Sequence, residues 1–166
     1  RAVVRIIRTR FAEPCASAYA EKSNPSVNTL KNAWLPNSLN AVKGLVNGYC
    51  NAIRAHKKVR TLSHMYDGLL PLRTYTFDVD ALGEKRCIEL FEPLFAVMRD
   101  NEVRWELTGG AVRFPGILRR ADEMGVRFIA TADAHFLDGG WGPFTHHDEA
   151  EAVIDRLGLH RARVSL

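Results

Sequence analysis

Nowhere in this chain does an apolar run approach the roughly 20 residues that a membrane-spanning helix needs, and no signal-peptide pattern precedes a cleavage site. Cysteine is scarce: Cys15, Cys50 and Cys87 are odd in number, widely spaced and free of any C-x-x-C pair. That spacing argues against a disulfide framework and a thiolate zinc site, and leaves buried reduced thiols. No repeat of roughly 20 to 50 residues marks a solenoid or propeller, and nothing is low-complexity. A starting methionine is missing too, since Arg1 opens the chain. The true N-terminus, with any targeting segment on it, is therefore expected to lie upstream, and the chain itself reads as cytoplasmic.

Charge is only mildly one-sided, with a net +4 and a pI near 9.2. Arg1, Arg5, Arg8 and Arg10 form one basic cluster; Arg54, Lys57, Lys58 and Arg60 form another. Neither has the interleaved aromatics that base stacking would use. The second falls where a helix should end, a place that favours cations through the helix dipole. A solvated helix terminus is the expectation there; neither nucleic acid nor a membrane is an expected partner.

What is present is an ordinary globular composition, 46% apolar and 25% charged over 166 residues. A chain of this size can bury about 70% of its unfolded surface, so residues 1–166 are expected to form a single α/β domain. Ala2 to Ile7 is β-rich. Residues 12–36, with Pro14, Pro25 and Pro36, read as loop with short helical pieces. Leu39, Val42, Val46, Tyr49, Cys50 and Ile53 recur at helical spacing and predict a helix to about His56. Val59 to Leu62 reads as a strand, and Pro71 to Asp80 as a long connection. A second helix covers about Gly83 to Arg99, with a kink or break expected at Pro93. Val103 to Leu107 is the next strand. Pro115 and Gly125 bracket a third helix as N1 residue and C-terminal cap. Val126 to Ala132 is a strand, Thr145 and Asp148 fit a capping box for a last helix ending at Gly158, and Arg161 to Ser165 suits a final short strand. Helix and strand alternate throughout, which predicts parallel strands with crossover helices, barrel-like or open.

Sites in such folds form beyond the carboxyl ends of the strands. His64 follows one predicted strand, Glu106 closes the next, and Asp133 and His135 follow the third. Asp133 and His135 are two apart, so in extended chain both leave one face while Ala134 faces away. A carboxylate and an imidazole together suit zinc, manganese or iron; an acid simply hydrogen-bonded to a histidine is the other reading. Glu106 reads as an outer partner orienting such a ligand, or as a salt-bridge partner of Arg104 or Arg113. Gly109 and Gly110 let backbone approach a ligand, and Arg113 could meet a phosphate in a bidentate fork or be a surface arginine. Arg73 is a similar candidate. His146 and His147, adjacent at a helix start, point in different directions and read as solvent-facing.

The segments "LSHMYDGL" and "RWELTGGAVRFPGILRRADEMGVRFIATADAHF" resemble the PHP superfamily, in particular its histidinol-phosphatase-like branch, over about residues 40–160. The resemblance implies an incomplete (β/α)7-type PHP barrel, the C-terminal portion of a longer domain. It implies divalent metal ions held by His64, Asp133 and His135, with Glu106 behind them and Arg113 and Arg73 on the phosphate of a small phosphorylated substrate. The implied activity is hydrolysis of histidinol phosphate or a similar phosphomonoester in histidine biosynthesis. The family's opening His-x-His strand has no counterpart here, and the asparagine after its motif glutamate is replaced by Leu107 or Thr108. The chain alone is accordingly expected to bind metal weakly and turn over little. A non-catalytic scaffold or partner-binding domain of the same descent is the alternative.

Overall fold

Among the described residues seven elements alternate: α1 (Val27–Ala55), β1 (Thr61–Leu62), α2 (Val79–Asp100), β2 (Arg104–Thr108), α3 (Pro115–Glu123), β3 (Phe128–Thr131) and α4 (Thr145–Leu157). The computed structural model describes residues 27–63, 65, 79–109, 112, 114–132 and 145–163. The expected strand at Ala2 to Ile7, the connection from Pro71 through residue 78 and the end of the predicted Arg161–Ser165 strand lie outside them.

The strands form one parallel sheet in chain order β1-β2-β3. An isolated parallel bridge between Phe128 and Arg161 extends the order past β3, so the predicted last strand is reduced to one pairing among the described residues. Among the described residues the alternation is therefore that of a three-stranded parallel α/β sheet with four helices.

Register and side-chain alternation divide the sheet into two faces. Thr61 pairs with Arg104, Leu62 with Trp105, Trp105 with Phe128, and Thr108 with Thr131. Leu62, Trp105, Leu107 and Phe128 thus share one face and are all buried. Thr61, Arg104, Glu106, Thr108, Ile129 and Thr131 occupy the other face and are half-buried. The buried row joins side chains from all four helices in one core: Val46 and Ile53 of α1, Phe91, Phe95 and Met98 of α2, Ile117 and Leu118 of α3, Val153 and Ile154 of α4. Aromatic rings run through it, with centroids 5.8 Å apart from Phe95 to Trp105 and again from Trp105 to Phe128.

Two helix boundaries differ from expectation. α1 begins at Val27, within the predicted loop, and runs through Pro36, which removes one backbone donor without ending the helix. In α2 the backbone leaves helical geometry at Gly83 (φ 74°, ψ 161°) rather than at Pro93, which the helix carries on an exposed position. Glycine reaches that conformation without a Cβ penalty, so the break falls where the backbone is freest.

Three helix ends share one closing device. The amide N–H of Val103 donates to the carbonyl of Met98, that of Val126 to Ala121, and that of Leu159 to Ile154. In each case the preceding residue is left-handed, Glu102 (φ 53°), Gly125 (φ 96°) or Gly158 (φ 67°). The residue after it is buried, which matches the six-to-one bond and apolar contact of a Schellman end.

Candidate functional site

Parallel order brings the carboxyl ends of the three strands to one edge of the sheet. Ser63 leaves β1 there, Gly109 leaves β2, and Ala132 leaves β3, while Glu106 lies in the middle of β2. Of the residues expected to carry chemistry, Glu106 is described. His64, Arg73, Arg113, Asp133 and His135 lie outside the described residues; His64 is next in sequence to Ser63 and Asp133 next to Ala132.

Glu106 sits on the half-buried face, and its Oε1 accepts a hydrogen bond of 2.6 Å from Oγ1 of Thr131. The register explains the contact, because Glu106 is opposite Ile129 and Thr131 is the diagonal neighbour on the same face. Among the described residues Glu106 makes no ion pair with Arg104, and Arg113, the other candidate, lies outside them. A hydroxyl from the adjacent strand orients its carboxylate, as suits a group that holds another in place.

The amino end of α4 meets the same edge. The Gly109 N–H donates to the His146 carbonyl at 3.1 Å, and Nδ1 of His146 lies 3.2 Å from Oε2 of Glu149. A Cβ on Gly109 would come within 3.4 Å of both of those side-chain atoms, and Gly109 has φ +74°. The conformation favours glycine here, and a Cβ would make only ordinary contact with those atoms. The two histidines do diverge, since His147 faces Asp148 and Glu151. His146, however, is only 24% exposed and turned onto the strand end, a correction to the solvent-facing expectation.

Among the described residues, no group of three or more His, Cys, Asp or Glu side chains could hold a metal ion. Behind the edge, burial and then the charge of Glu84 push the Cys87 thiol up to about 11, and burial raises Cys50 despite Arg54. Both are unreactive core thiols, as the spacing implied. Comparison with protein-family models, curated proteins and solved structures finds no match to this chain. No helix among the described residues is long and apolar enough to cross a membrane.

Proposed function

We propose that this chain is the C-terminal portion of a PHP-type domain and serves a metal-dependent phosphomonoesterase, with histidinol phosphate as the leading substrate. The observation that carries the reading is the common edge. Ser63, Gly109 and Ala132 stand just past the carboxyl ends of adjacent parallel strands, with Glu106 inside β2 two residues before its end, and His64 and Asp133 come next in sequence after Ser63 and Ala132. The chain order of the three described parallel strands, continued by the bridge at Arg161, is compatible with one wall of such a barrel.

In this reading His64, Asp133 and His135 are the donors, two imidazoles and a carboxylate that fit zinc, manganese or iron. Such an ion, when bound, supplies Lewis acidity toward phosphoryl oxygens and acidifies water. Glu106, steadied by Thr131, fixes the orientation of a neighbouring donor. Arg113, with Arg73, binds the phosphate and offsets its charge as the ester bond breaks. Gly109 supplies the left-handed turn (φ +74°) from which the chain leads to Arg113.

The engagement of Glu106 by Thr131 also favours a second reading, in which the polar groups of the edge satisfy one another and the domain is a scaffold. Calorimetric titration of the purified chain with Zn²⁺ and Mn²⁺ separates the two. The enzyme reading expects weak one-to-one binding, as suits a partial ligand set, that Asp133→Asn and His135→Ala abolish and that Glu106→Gln weakens by about tenfold. No binding by the unmodified chain, or equal binding by all four proteins, leaves only the scaffold.

A further inference from the structure

The opposite edge of the sheet, at the amino ends of the strands, collects a different chemistry. Arg54 lies in the last turn of α1, and Lys57, Lys58 and Arg60 lie in the link to β1. Arg104 opens β2 as the register partner of Thr61, the residue after Arg60. Tertiary structure therefore adds a fifth cation to a cluster of four in the sequence. Arg54, Lys57, Lys58 and Arg60 are exposed and Arg104 is half-buried.

Five of the eight described arginines elsewhere are ion-paired, whereas Arg119, Arg156 and Arg163 have no ion pair among the described residues and do not cluster in sequence. Arg86, Arg99, Arg120, Arg127 and Arg161 each form an ion pair with a carboxylate. The five at the corner pair with no carboxylate among the described residues. Arg60 donates from its NH1 nitrogen to the backbone carbonyls of Lys57 and Val59, and Lys57 reaches the side-chain amide oxygen of Asn101 at 3.5 Å. Asp100 is occupied by Arg99, which leaves Glu102 as the one opposing carboxylate of the α2–β2 turn. The backbone beneath is fixed. The N–H of His56 bonds to Ala52, that of Val59 to His56 and that of Arg104 to Arg60, and Val59 is a buried plug.

We infer that this corner is a docking surface for the phosphodiester backbone of a nucleic acid duplex, bound without regard to sequence. Fixed cations that lack internal counterions hold condensed anions, and a regular polyanion releases its own counterions on meeting them. Nothing apolar is exposed between Arg54 and Arg60 except Ala55, since Val59 points inward. A protein partner would want an apolar core, and lysine is depleted in such cores. An anionic bilayer would gain no insertion from a patch without exposed apolar side chains. Absent aromatics tell against stacked single strands but not against a duplex backbone. The surface is independent of the carboxyl-end site.

Fluorescence anisotropy of a labelled 20-base-pair duplex of arbitrary sequence, titrated with the purified chain, tests this. Neutralising four phosphates predicts a log–log salt slope of about −3.6, so affinity should fall roughly a hundredfold from 50 to 200 mM NaCl. The double substitution Lys57→Ala/Lys58→Ala should flatten the slope by about 2, and Glu102→Asn should tighten binding. Lys85→Ala, on an exposed position near the amino end of α2, should change nothing. Binding unaffected by the double substitution, or a preference for poly-glutamate or for phosphatidylserine vesicles over the duplex, overturns the assignment.

Discussion

Glu102 occupies a conformation that an L side chain adopts reluctantly. At φ 53° it does the work that Gly125 and Gly158 do at the ends of α3 and α4. A left-handed backbone costs a residue with a Cβ roughly 1 kcal/mol or more, and Glu102 is exposed with no packing to offset it. Glu102→Gly is expected to raise the stability of the chain by about 1 kcal/mol, read as a higher urea midpoint at unchanged slope. Cys87 provides a second single-residue prediction. Burial, helped by Glu84, raises its thiol to about 11 from an ordinary 9.0. The folded state thus holds the proton more tightly than the unfolded chain. The stability gained is full below the unfolded value and is lost as the pH rises through about 11, so denaturant midpoints should decline across that window. A thiol reagent at pH near 8 should label Cys87 only as fast as the protein opens.

Elements are joined at their ends by a few side chains that reach far along the sequence. Asp122 in α3 accepts from the backbone N–H of His160 at 2.8 Å, lies 2.8 Å from Nδ1 of the same histidine and 3.6 Å from the Arg127 guanidinium, with its side chain only 12% exposed. It ties the residues after α4 to the edge of β3, where Phe128 N–H donates to His160 and Ala162 N–H donates to Phe128. Asp122→Ala is expected to cost about 2 kcal/mol. Hydrogen exchange should then show the amides of Phe128, His160 and Ala162 opening while those of α1 and α2 stay protected; uniform loss across all helices would contradict a local clasp. Glu84 plays a comparable part between α2 and α3, since its carboxylate accepts from the Gly116 N–H in the first turn of α3. It serves as a borrowed cap where Phe114 offers no side-chain acceptor.

For the molecule as a whole, stability is centred on the row Leu62, Trp105 and Phe128 and on the helices that cover it. Trp105 is fully buried and its ring neighbours Phe95 of α2 and Phe128 of β3. Trp105→Ala should cost about 3 to 5 kcal/mol, enough to bring cooperative unfolding close to ambient conditions. Circular dichroism of the variant should report a lower midpoint, because the lost ring packs against both α2 and β3. The proposed metal site acts at the same scale through mass action. Zinc or manganese at about 100 times its dissociation constant should stabilise the fold by about 2.7 kcal/mol, and a thermal melt of Asp133→Asn should show no such gain.

Local chemistry along the chain was enough to mark the helices, the strands and two of the three glycine-type ends. Those depend on periodicity and hydrogen bonds spanning five residues or fewer, as with Val126 to Ala121. It misjudged the start of α1 and the break at Gly83, where competing local preferences were close to balance. Glu102 was invisible as a left-handed cap because nothing in its type announces the conformation. Which groups meet was settled by strand order and register alone. Glu106 and Thr131 are 25 residues apart, Asp122 and His160 are 38 apart, and Lys57 and Asn101 are 44 apart. A chain's own composition and period can say that a carboxylate ends a strand; only the packed sheet chooses its neighbour, since a shift of one residue in register would turn it to the other face.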